Sequence, residues 1–64
     1  MTITYIGIEV DCLDRAVAES RSGAGRWVYR RINGTFEVHD APTADPACIY
    51  VAHIPPTGNG RAAL

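Results

Sequence analysis

Gly25-Arg-Trp-Val-Tyr-Arg-Arg-Ile-Asn-Gly-Thr-Phe-Glu-Val-His-Asp40 is the stretch on which the fold turns: two runs rich in β-branched and aromatic residues flank the dipeptide Asn33-Gly34. Asn-Gly is the favoured centre of a two-residue type I′ hairpin turn, since both central residues of that turn need positive φ. A two-residue loop would pair Ile32 with Thr35, Arg31 with Phe36, Arg30 with Glu37, Tyr29 with Val38, Val28 with His39 and Trp27 with Asp40. Side chains alternate along a strand, so one face of the hairpin should carry Trp27, Tyr29, Phe36 and Val38, with Arg31 near the turn. The opposite face should carry Val28, Arg30, Ile32, Thr35, Glu37 and His39. The aromatic face is expected to meet a helix. The other is expected to face water, its Arg30–Glu37 pair contributing about 0 to 1 kcal/mol.

Upstream, residues 2 to 10 read as a strand with Ile6, Ile8 and Val10 on one face and Tyr5 and Glu9 on the other. Asp11 stands where an N-cap belongs, with Asp14 three residues on, and predicts a helix over 12–22. Its apolar stripe would be Leu13, Ala16, Val17 and Ser20, with Asp11 and Arg15 forming an i,i+4 pair and Gly23 and Gly25 ending it. Downstream, Ala41 to Ala47 is a loop of turn formers, Cys48 to Ile54 reads as a last strand, and Pro55-Pro56 stops it. The order β-α-β-β-β implies a small single α+β domain over residues 1–55, one helix packed on a mainly antiparallel sheet. Residues 56–64 read as a flexible C-terminal tail.

Composition supports one folded domain: 64 residues, 47% of them hydrophobic and only 20% charged, are unlike a disordered chain. No apolar run approaches the roughly 18 residues of a membrane span. The N-terminus Met-Thr-Ile-Thr-Tyr-Ile lacks the basic region and apolar core of a secretory signal, which makes cytoplasmic residence the expectation. So short a chain buries only about 60% of its unfolded surface, and a deep water-excluding pocket is hard to build from one copy. Cys12 and Cys48 could form one bridge at most, and both are expected free in a reducing compartment.

The near-neutral total hides a basic centre. The net charge is -1, yet residues 20–36 hold Arg21, Arg26, Arg30 and Arg31 without a single acid, and all six basic residues of the chain are arginine. Beside Trp27 and Tyr29 these arginines could track phosphates and stack bases. Equally, they could solvate the surface, pair with Glu37 or Asp40, or meet an acidic protein surface. Glu9, Asp11, Asp14 and Glu19 gather around the helix start, where carboxylates favour the helix dipole whether or not they touch a partner. Cys12 at a first helical turn could have a lowered pKa, with His39 or His53 as base, but no nucleophile spacing links them. A zinc site from Cys12, Cys48, His39 and His53 has suitable donors and no C-x2-C or H-x3-H pair to nucleate it. Gly58-Asn59-Gly60 lacks the helix and lysine of a phosphate loop. Tyr5, Tyr50 and His53 are expected on the sheet face away from the helix, an interaction surface or homodimer interface if uncovered.

These residues point to a non-enzymatic protein-binding module that needs no cofactor and no membrane. Its expected contact residues are Arg21, Arg26, Arg30, Arg31, Glu9, Asp11, Asp14, Glu19, Tyr5 and Tyr50. Small stand-alone domains of this kind are common among phage and mobile-element inhibitors, anti-CRISPR proteins included, which occlude a host nucleic-acid-processing complex. Direct nucleic-acid binding through Arg21, Arg26, Trp27, Arg30 and Arg31 is the alternative, and a small oligomeric enzyme using Cys12 the second.

Overall fold

A computed structural model of the chain describes residues 3–21 and 24–56. Strand β1 (Ile3–Gly7) leads into helix α1 (Glu9–Ser20), followed by strands β2 (Arg26–Arg31), β3 (Phe36–His39) and β4 (Cys48–Ile54). The four strands form one antiparallel sheet in the order β1-β3-β2-β4 with α1 across one face. The expected α+β class, element order and antiparallel pairing are therefore those of the molecule. Gly23 and residues 57–64, where a helix stop and most of the tail were expected, lie outside the described residues.

The hairpin differs from expectation by one residue. Trp27 pairs with His39, Val28 with Val38, Tyr29 with Glu37 and Arg30 with Phe36. Among the described residues positive φ occurs at Gly34 alone (95°), so Asn33 does not take the conformation that a type I′ turn demands. Instead the Gly34 N–H donates to the Arg31 carbonyl (2.9 Å) and the Arg31 N–H to the Thr35 carbonyl (2.8 Å), closing a three-residue loop with glycine at the bulge. Asn33 Oδ1 accepts from the Thr35 N–H (3.0 Å) and hydroxyl (2.8 Å), holding the tighter conformation.

The one-residue slip reverses the expected facing of β2 and leaves that of β3 as it was. The helix-facing side thus holds Val28, Val38 and Phe36, while Trp27, Tyr29, Glu37 and His39 lie on the outer side. Val28, expected in water, is fully buried, and Glu37 pairs with Arg31 rather than Arg30.

The helix is also displaced. It starts at Glu9 with Ile8 as an N-cap that supplies no side-chain hydrogen bond, and Asp11 falls inside its first turn. The stripe against the sheet is Cys12, Ala16 and Ser20, all at 0% exposure, with Leu13 beside it and Val17 turned outward. Three small residues at four-residue spacing let the helix backbone approach the two valines closely. Starting the helix early costs the N-terminal strand its expected face: Ile6, Ile8 and Val10 are exposed, whereas Tyr5 packs toward the core. Asp11 does not pair with Arg15, whose guanidinium reaches Glu19 instead (2.8 Å).

Glu19 ties three elements together. Its Oε1 accepts from the Thr4 hydroxyl (2.6 Å) and Arg26 Nε (2.9 Å), and its Oε2 from Arg15 Nε (2.8 Å). Burial pushes its pKa up, but the three donors and the Arg26 charge outweigh burial and hold it below the usual carboxylate value. A depressed native pKa contributes stability that is present above the unfolded value of about 4.3 and lost as pH falls through the lower native value. Urea midpoints measured from pH 6 downward should therefore fall more steeply for the native chain than for Glu19→Gln below about pH 4; parallel curves would contradict the assignment.

Candidate functional site

Strand polarity collects one end of the molecule. β1 runs toward the hairpin turn, since Gly7 pairs with Phe36, the first residue of β3, and β4 starts there too, with Cys48 opposite Arg31. The N-terminus of α1 follows directly from β1 at the same end. Ile6, Ile8, Val10, Ile32 and Ile49 all belong to this turn end and all are exposed, Ile32 by 81%. These five share one end of the fold but not one face, since Ile6 stands on the outer face of edge strand β1 and Ile49 on the helix face of the opposite edge strand β4. Glu9 and Asp11 in the first helical turn and Arg30 beside Ile49 add charges of both signs to this end. The sequence signal was the β-branched run Ile6-Gly7-Ile8-Glu9-Val10, which alternation alone assigns to a core.

The structure separates the expected contact residues. Arg26 and Arg31 lie in ion pairs, Arg26 with Glu19 and Arg31 with Glu37 at 2.7 Å. Arg21 and Arg30 are exposed and take no ion pair among the described residues. Asp11 and Asp14 line an open depression with Tyr5 and Arg15, the Arg15 guanidinium standing 5.1 Å from the Tyr5 ring centre. Tyr5 is therefore on the helix side, a correction to its expected place, while Tyr50 and His53 do lie on the outer face. Trp27 stacks on His53 at 4.6 Å and 15°, so one of its ring faces is already occupied. Arg30 projects on the face opposite to Trp27 and Tyr29, and the basic-aromatic mixture legible in the sequence is split across the sheet.

The outer face carries a polar cluster that the sequence did not reveal. Tyr29, Glu37 and His39 are buried there although no helix covers them. The 41–47 loop returns across this face: the Thr43 N–H donates to the Tyr29 hydroxyl (3.0 Å), and Asp45 approaches Arg31 at 3.9 Å. Glu37 is the hub. Its Oε2 accepts from Arg31 Nε (2.7 Å), and its Oε1 lies 2.9 Å from His39 Nε2 and 3.8 Å from Cys48 Sγ. Tyr29 packs edge-on against His39 (4.8 Å) and Tyr50 (6.2 Å). Burial pushes the Glu37 pKa up, yet its bonds to Arg31 and His39 bring it below the ordinary carboxylate value. Glu37 and His39 come from β3 and Cys48 from β4, and the pairing of β4 with β2 puts all three on the same face.

Cys12 is sealed in the core at 0% exposure, and burial pushes its thiol pKa up against the lowering pull of a Gly7 backbone hydrogen bond. That environment keeps a thiol protonated and out of reach of substrate. No helix among the described residues is long and apolar enough to cross a membrane. Compared with protein-family models, curated proteins and solved structures, the chain matches none.

Proposed function

We propose that this chain is a non-enzymatic protein-binding module whose turn end docks onto and occludes a partner protein, in the manner of phage and mobile-element inhibitors of the anti-CRISPR kind. The observation that carries the binding reading is the exposed set Ile6, Ile8, Val10, Ile32 and Ile49 with charges at the same end. Burying five such side chains would contribute several kcal/mol, at about 25 cal/mol per Å² of apolar surface. Glu9, Asp11 and Arg30 would then set orientation and encounter rate rather than bulk affinity. A host nucleic-acid-processing complex as target rests on the class of small stand-alone inhibitors and on those rim charges.

Direct nucleic-acid binding has less behind it, because Arg26 and Arg31 are engaged by acids and Arg30 stands on the face opposite to the aromatics. The Cys12 enzyme has less still, given the sealed thiol.

The test is affinity capture from host lysate with and without nuclease, run in parallel with an Ile8→Asp/Ile32→Asp chain. Both positions are exposed, so the fold should tolerate the changes to within about 0.5 kcal/mol each. A nuclease-resistant partner held by the native chain and lost from the variant is the expected outcome. Retention by the variant, or recovery of nucleic acid alone, would move the functional surface elsewhere.

A further inference from the structure

The cluster on the outer face brings three different kinds of donor atom together. Glu37 offers a carboxylate oxygen, His39 an imidazole nitrogen and Cys48 a sulfur, and these three donor atoms lie within 4.8 Å of one another. Around a tetrahedral zinc ion with bonds of about 2.0–2.3 Å, donor atoms stand roughly 3.3–3.6 Å apart. The two separations of 2.9 and 3.8 Å from Glu37 Oε1 already bracket that range. The third pair, His39 and Cys48, lies within 4.8 Å and closes to that range when the ion binds. From this geometry we infer that Glu37, His39 and Cys48 form a binding site for a zinc-type divalent cation.

The donor set selects the ion. Sulfur and imidazole suit zinc and its neighbours in the transition series, whereas calcium and magnesium require oxygen ligands. Charge balances as well: on binding, Cys48 releases its thiol proton to solvent, and the thiolate with the Glu37 carboxylate neutralises a doubly charged ion. Glu37 divides its two oxygens, Oε1 facing the other ligands and Oε2 held by Arg31 Nε at 2.7 Å. An outer partner on a ligating carboxylate of this kind fixes its orientation. Arg31 is thereby a positioning residue, and its own charge is shared with Asp45. Three protein ligands leave the fourth tetrahedral position to water.

Placement gives the ion a purpose. Glu37 and His39 belong to β3, whereas Cys48 opens β4 just after the 41–47 loop, and β2 runs between them. An ion there would clamp the loop exit to the sheet across an intervening strand. Among the described residues the fully buried apolar core consists of Cys12, Ala16, Val28 and Val38, and folds this small commonly add a metal to such a core.

Cobalt(II), which takes the same coordination as zinc and can be seen, is the probe. Titrated into the reduced full chain, it should give visible ligand-field bands of a four-coordinate ion and a thiolate charge-transfer band, saturating at one ion per chain. Cys48→Ser should remove the charge-transfer band and Cys12→Ala should keep it; Arg31→Gln should weaken binding about 10–100-fold. Absence of the bands in the native chain, or their survival in Cys48→Ser, would overturn the site. A second measurement needs no variant: zinc should slow alkylation of Cys48, located by mass spectrometry, and an unchanged rate would equally overturn it.

Discussion

Glu37→Ala should destabilise the chain by about 3 kcal/mol, the lower end of what breaking a buried ion pair costs. Glu37 is 4% exposed, and its carboxylate accepts from Arg31 and lies in hydrogen-bonding contact with His39. Removing it leaves the His39 nitrogen and the Arg31 guanidinium without the acceptor both are built around, and the apolar methyl that replaces it supplies none. A 64-residue domain has roughly 3–10 kcal/mol of total stability, so the loss amounts to between about a third and all of it. Urea denaturation in the presence of a chelator reads the loss without any contribution from bound metal. Glu37→Gln keeps the shape and one acceptor and should lose less. An alanine variant as stable as the native chain would mean that the outer-face network contributes nothing to the fold.

Ala16→Leu is the second large effect. Ala16 lies at 0% exposure in the middle of the Cys12-Ala16-Ser20 stripe, against a sheet face centred on Val28 and Val38. Three extra carbons there must push the helix off the sheet, and overpacking of this kind costs about 3 kcal/mol. In a domain of this length each kcal/mol shifts Tm by about 4–8 °C, so the melt should move down by more than 10 °C. Val17→Leu, one residue along and turned outward, should leave Tm almost where it was. Equal effects at the two positions would mean that the helix is rotated from the phase described above.

Those two positions also show what the sequence could and could not reveal. Ala16 and Ser20 lie on the buried stripe under either phase of the helix, and the periodicity found them. Val17 was included and Cys12 left out because the helix was started at an N-cap aspartate, whereas the chain starts it at Ile8 without a capping side chain. Packing of small residues against Val28 and Val38 outweighs a cap worth about 1 kcal/mol. Strand positions and the hairpin itself were legible, since β-branched and aromatic runs around Asn33-Gly34 permit little else. The register was not, because Asn-Gly serves both a two-residue loop and the three-residue loop that occurs, and only burial of the valines chooses between them.

The candidate site was legible only in part. Glu37 and His39 share the outer face by strand alternation, but their meeting with Cys48 across β2 is set by the β2–β4 pairing, which no spacing along the chain advertises. Arg21 and Arg30 remain exposed as a basic run suggests, but Arg26 is taken by Glu19 at the end of the helix and Arg31 by Glu37 on the neighbouring strand. Ile6, Ile8 and Val10 alternate like core residues and are outside because the helix begins so soon after Gly7.

Both outer strands of the sheet are irregular, and the inner pair is not. The pairing of β1 with β3 shifts at Thr4, and that of β4 with β2 shifts at Val51, while β2 and β3 pair without interruption. An unbroken outer strand is a template on which identical chains can stack without end, the first step toward a fibre. A bulge in each outer strand breaks the run of backbone donors and acceptors that such stacking copies. Neither edge of the sheet therefore offers an unbroken strand for a second copy to extend.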